Sequence, residues 1–194
     1  HVVSLVEREK GPLQDAQRAI RVIRANAKKW SIEPNKVGIQ GSSAGGHLAA
    51  LTSTTRADVS AIGDSLDALP FRPDFTILVS PVIDLDVFAH AGSRKNLLGD
   101  KPSAKQITQY SPHLNVDATT PPAFLVHAFN DKSVSVKNSL LYYSALVDNK
   151  ISSSLHVFPQ GGHSIALRNN PGSATHWPEL CESWLTEMGF LRDK

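Results

Sequence analysis

Residues 36–51 read Lys36-Val37-Gly38-Ile39-Gln40-Gly41-Ser42-Ser43-Ala44-Gly45-Gly46-His47-Leu48-Ala49-Ala50-Leu51. The first five have the character of a short strand, the last six form helix readily, and a Gly-x-Ser-x-Gly pattern, Gly41 to Gly45, joins them. In a strand-turn-helix of this kind the central residue, Ser43, is forced into a strained backbone conformation with its side chain in the open. Small neighbours let strand and helix approach without clashing. The helix that starts next offers unpaired amides and a positive dipole end to any anion forming beside Ser43, and the Ala44 N–H is the expected oxyanion donor. A five-residue pattern alone is a weak signal, and a plain Gly/Ser loop is the competing reading. The strand before it and the small-residue helix after it favour the elbow.

Outward toward the N-terminus, residues 2–6 are a β-branched run suited to a strand, and Gly11-Pro12 opens a helix over 13–30. Leu13, Ala16, Ala19 or Ile20, Ile23 and Ala27 recur at helical spacing, while Arg18, Arg21, Arg24, Lys28 and Lys29 fall largely off that stripe and read as a solvated face. Outward toward the C-terminus the elbow helix runs to about residue 54, and 56–73 is a polar linker. Residues 74–80 are a continuous apolar run fit for a central parallel strand. The long stretch 84–122 has weak periodicity and is where helices, a lid or substrate contacts are expected. Strands are predicted at 123–128 and 154–158, with a helix over 136–147 between them. A final helix over 174–188 carries Trp177, Leu180, Cys181, Trp184 and Leu185 on one face.

Strands alternating with helices predict an α/β fold, a mostly parallel sheet flanked by helices on both faces, with ligands bound beyond the carboxyl ends of the strands. Three loops leave those ends, carrying Ser43, Asp131 and His163 in the chain order nucleophile, acid, histidine. A serine hydroxyl needs a base near neutrality, which an imidazole provides, and the imidazole needs a carboxylate to fix its tautomer and offset its developing charge. Each residue also has a bland reading: His163 as an idle loop histidine, Asp131 as ordinary helix-start chemistry, with Asp84 as the rival acid and His47 as a packing histidine.

The 194 residues, 41% hydrophobic and 20% charged, suit one globular domain over 1–194. A formal charge of +2 gives no argument for a nucleic acid or an anionic membrane surface. The one cysteine, Cys181, excludes an intrachain disulfide, reads as a packed thiol and leaves the compartment undecided. The histidines show no metal-ligand spacing, so no metal is expected. No apolar run is long enough to span a membrane, and no signal peptide is seen in this chain.

On four segments the chain resembles the α/β-hydrolase superfamily, in its esterase/lipase branch with acetyl-xylan esterase-like and other carbohydrate-esterase-like proteins. They are Pro12 to Ala19, Gly41 to Ala49, Thr120 to His127 and Gly161-Gly162-His163. The resemblance implies a Ser43–His163–Asp131 triad, an oxyanion donor at Ala44, and hydrolysis of small acyl esters or acetylated sugars without a cofactor. Two departures carry expectations. Ser135 stands where the branch usually has the proline of Asp-x-x-Val-Pro, which predicts a less constrained acid loop. The strands and the His-Gly-Gly-type loop that normally precede residue 13 are not seen, which predicts an N-terminally incomplete sheet and slow turnover. It also predicts an exposed edge covered by a homodimer or by the rest of a longer protein. The other function class is a catalytically crippled hydrolase-like domain that serves as a binding or assembly module.

Overall fold

The computed structural model describes residues 8–191, so the strand expected at 2–6 lies outside the described residues. Four strands form one sheet: β1 (Gly38–Ser42), β2 (Phe75–Val79), β3 (Ala123–Ala128) and β4 (Ser154–Phe158), in the order β1-β2-β3-β4 and parallel throughout. Among the described residues β1 pairs on one side only.

All of β3 is buried, as expected of a strand whose side chains alternate between two covered faces. Ala123 and Leu125 pack with Ala49 and Ala50 of α3 (Ala44–Thr54) and with Tyr142 and Leu146 of α6 (Lys137–Asp148). Phe124, Val126 and Ala128 pack on the other face against Trp177, Cys181 and Trp184 of α7 (Trp177–Glu187). A fully buried leucine or phenylalanine here contributes about 1.5–3 kcal/mol relative to exposure. Burial raises the pKa of the Cys181 thiol to about 11, as befits a packing residue.

Three sequence expectations shift. The strand predicted at 36–40 begins and ends two residues later, because Gly41 and Ser42 pair with Leu78 and Val79 while Val37 is held from the side by Asp74, whose Oδ2 accepts the Val37 amide at 2.7 Å. The helix predicted over 13–30 is two, α1 (Gly11–Ala25) and α2 (Ala27–Trp30). They part at Asn26, whose side-chain amide donates to the Val22 carbonyl at 2.8 Å and competes with the backbone ladder.

The solvated basic face is the larger correction. Arg21 is 2% exposed and Arg24 8%. Arg21 donates to both oxygens of Asp58 and to the carbonyls of Leu69 and Asp67. Arg24 donates to Asp74 and to the Arg72 carbonyl, and Arg18 pairs with Asp64 and Asp67. The polar linker thus supplies the acids for Arg18 and Arg21, and Asp74 just beyond it the acid for Arg24, so three arginines of one helix pack inward and only Lys28 and Lys29 remain exposed. The long stretch 84–122 folds as α4 (Ala91–Leu98), α5 (Ala104–Gln109) and a 3-10 turn, Pro112–Asn115.

Candidate active site

Ser43 sits between β1 and α3 with φ 55° and ψ −121°, a conformation that costs a non-glycine residue about 1–3 kcal/mol. Hydrogen bonds hold it there: its amide donates to the Val79 carbonyl at 3.0 Å, and its own carbonyl accepts the amides of His47 and Val82, each at 3.1 Å. A Cβ on Gly41 would lie 2.1 Å from the Gly45 carbonyl oxygen, and one on Gly46 would lie 2.8 Å from Pro81 Cβ. Gly41 and Gly46 therefore allow strand, helix and the β2 exit to meet, whereas Gly45 has open space around it. Helix α3 starts at Ala44, and the His47 amide is the one that closes its first turn onto Ser43, so the Ala44 N–H stands at the open end of the helix beside the serine.

His163 arrives on the loop after β4. Gly161, at φ 151°, lies where a Cβ would come 3.0 Å from the Ala128 side chain, and Gly162 takes the left-handed φ of 58°. The Gly162 amide donates to Asn130 Oδ1 at 2.8 Å, so the residue before Asp131 ties the histidine loop to the acid loop. His163 Nδ1 lies 2.7 Å from Asp131 Oδ2 and Nε2 lies 2.8 Å from Ser43 Oγ. An ionised carboxylate only accepts, so Nδ1 carries the proton and Nε2 is left to accept the serine hydroxyl.

The Asp131 side chain is fully buried. Its Oδ1 accepts the amides of Ser133 at 2.8 Å and Val134 at 2.9 Å. Burial alone would push the carboxyl up, but the hydrogen bond from His163 and the two loop amides outweigh it and hold it below the usual carboxylate range. The same amides close the turn that has Ser135 in place of proline, and Val134, 1% exposed, anchors it in the core.

The structure brings Ser43, Asp131 and His163 together. Asp84 does not join them: its oxygens accept the amides of Asp86 at 2.9 Å and Phe88 at 2.7 Å, which shapes the loop after β2. His47 is buried and its Nε2 donates to the Tyr110 carbonyl at 2.7 Å. Sequence reasoning missed Asn130 and His127. The one available signal for His127 was a polar residue inside an otherwise apolar strand; its Nε2 lies 3.2 Å from Asp131 Oδ2. Among the described residues no group of three or more His, Cys, Asp or Glu is arranged to hold a metal ion, and no helix is long and apolar enough to cross a membrane.

The BD-FAE family model matches residues 6–146, well over half of the chain. The chain belongs to the BD-FAE family. The BD-FAE match takes in Ser43, Ala44 and Asp131 and ends before His163. Over 161 residues this BD-FAE chain is 37% identical to endo-1,4-beta-xylanase B of Butyrivibrio fibrisolvens, covering 83% of the chain and 25% of that protein. It is 38% identical over 161 residues to an acetylxylan esterase of Xylanibacter ruminicola, covering 80% and 31%. The chain therefore spans about a quarter to a third of the length of these two relatives. Among solved structures, an acetyl ester-xyloside bifunctional hydrolase from Caldicellulosiruptor lactoaceticus superposes with a TM-score of 0.88 at 42% identity, over 94% of this chain and 67% of that one. A carboxylesterase from Lactobacillus plantarum superposes at 0.77 with 27% identity, over 94% and 69%. With its parallel sheet and helices on both faces, this BD-FAE chain has the α/β-hydrolase fold and is acetyl-xylan esterase-like.

Proposed function

We propose that this chain carries the catalytic centre of a serine carboxylesterase that removes small acyl groups, acetyl above all, from xylan-type sugars through an acyl-enzyme. The observation that carries the reading is the unbroken relay from Ser43 Oγ through His163 to Asp131, at 2.8 Å and 2.7 Å. Ser43 Oγ attacks the ester carbonyl carbon as its proton passes to His163 Nε2. The oxyanion forms against the Ala44 N–H and the positive end of α3. Collapse expels the sugar alcohol, which takes the proton back from His163, and a water activated by the same nitrogen then releases the acid. Asp131 stays ionised and stabilises the imidazolium in both halves.

A cavity of about 400 Å³ opens beside Ala44 and Gly45, the two residues that follow Ser43, with Leu48, Leu51, Leu85 and Leu97 in its walls and Arg8 and Glu9 also lining it. The acetylxylan esterase and the acetyl ester-xyloside hydrolase among the relatives support the choice of acetylated sugar.

The test is hydrolysis of p-nitrophenyl acetate and of acetylated xylan by the chain and by Ser43→Ala, with a serine-directed phosphonate as a probe of the nucleophile. Expected are turnover and phosphonate labelling that both vanish in the variant. Equal activity in the two proteins, or a folded chain that the phosphonate does not label, rejects the triad.

A further inference from the structure

His127 is 0% exposed at the carboxyl end of β3, and both of its ring nitrogens have partners. Nδ1 lies 2.8 Å from Ser139 Oγ on α6. Nε2 lies 3.0 Å from the Val134 carbonyl and 3.2 Å from Asp131 Oδ2, the same oxygen that receives His163 Nδ1. Two acceptors face Nε2, a carbonyl and a carboxylate, and a bare nitrogen lone pair there would meet only negative charge. Nε2 therefore carries the proton, which leaves Nδ1 to accept from the Ser139 hydroxyl.

We propose that His127 is a positioning residue for Asp131: held in the Nε2–H tautomer by the two acceptors at that nitrogen, with Ser139 donating to Nδ1, it shares one proton between the Val134 carbonyl and Asp131 Oδ2. The proposal rests on Asp131 being the triad acid. His127 performs two tasks through one hydrogen. It draws electron density from the oxygen that His163 uses, and it clamps the 131–134 turn through Val134, the turn directly followed by Ser135, where the branch usually has proline. The titratable groups that face it are Asp131 and His163. Burial, only partly opposed by the Val134 carbonyl and by Asp131, lowers its pKa and keeps the ring neutral, so it acts as a neutral donor.

The experiment compares wild type with His127→Leu, which removes the donor, and His127→Gln, which keeps an N–H near the Nε2 position. Its first readout is independent of activity: nitrogen-15 NMR of the imidazoles, and the downfield resonance of the His163 Nδ1 proton in its bond to Asp131. His127 is expected as the neutral Nε2–H tautomer from neutral to mildly acidic pH. Once Oδ2 loses its competing donor it becomes the more basic acceptor, so the His163 proton is expected to move further downfield in His127→Leu and back toward the wild-type position in His127→Gln.

In kinetics, kcat for p-nitrophenyl acetate falls by about ten- to hundredfold in His127→Leu, with KM little changed. The acid limb of kcat/KM moves to higher pH, and His127→Gln recovers most of both. An Nδ1–H tautomer or an imidazolium at His127, or a His163 proton unmoved in a folded His127→Leu, overturns the proposal. Should the leucine variant fail to fold, the wild-type tautomer and the glutamine variant still decide. Should the NMR behave as expected while turnover proves independent of Ser43, the positioning role stands and the esterase reading falls.

Discussion

Asp131 is held by its Oδ1 in the turn and by its Oδ2 on His163, so changing one oxygen to nitrogen tests the relay with almost no change of shape. In Asp131→Asn the amide offers no charge to an imidazolium and can present a donor to His163, which favours the wrong tautomer. We expect kcat to fall on the order of 10⁴-fold with KM and fold little altered, measured with p-nitrophenyl acetate and circular dichroism. The three residues of the proposed relay were legible as a candidate set because each leaves the carboxyl end of a strand and they follow in the chain order serine, aspartate, histidine. His127 was not. Its meaning depends on the 131–134 turn folding back to bring Val134 and Asp131 onto one imidazole nitrogen, and no local pattern encodes that return.

At the level of the element, the elbow separates two glycines that the motif treats alike. Gly41 has no room for a Cβ because the backbone of Gly45 lies 2.1 Å from where it would go, and a main-chain clash cannot be relieved by a rotamer. Gly45 meets nothing within 4 Å and lies in the first turn of α3. Gly41→Ala is therefore expected to lose the native elbow, seen as lost phosphonate labelling and a lower urea midpoint. Gly45→Ala is expected to fold and to gain up to about 0.5 kcal/mol from better helix propensity, read from the same urea curves. A Gly41→Ala protein as stable and as readily labelled as wild type contradicts this account. The glycine pattern pointed to a tight turn, but which glycine is sterically obligatory follows from the crossing of strand and helix.

For the whole molecule, two buried histidines, His47 and His127, and two half-buried ones, His113 and His156, set the response to acid. His47, His113, His127 and His156 all have lowered pKa values with burial as the leading cause, opposed at His47 by the Tyr110 carbonyl and at His113 by the charge of Asp84. The unfolded chain takes up protons near the ordinary histidine value of about 6.5, and the fold takes them up only at lower pH. Stability is thus fully present above about 6.5 and falls as pH drops toward the folded-state values. Asp131, whose pKa is also lowered, adds its own loss only below the ordinary carboxylate range of about 4. Urea midpoints should hold nearly level from about pH 7.5 to about pH 6.5 and decline from there to about pH 5.5, and a flat profile down to about pH 5.5 contradicts the assignment. What the sequence by itself determined was the alternation of strands and helices, the elbow at Ser43, and the chain order of serine, acid and histidine, because these follow from local periodicity and turn chemistry. Only the tertiary structure decided that Arg21 and Arg24 are buried against acids of the 58–74 segment, that Asp84 serves its own loop, and that His127 meets Asp131. The arginine and histidine pairings join side chains distant in sequence or brought together by a returning turn, Asp84 is taken up by the amides of its own loop, and the free energy of each depends on what else is excluded from water around it.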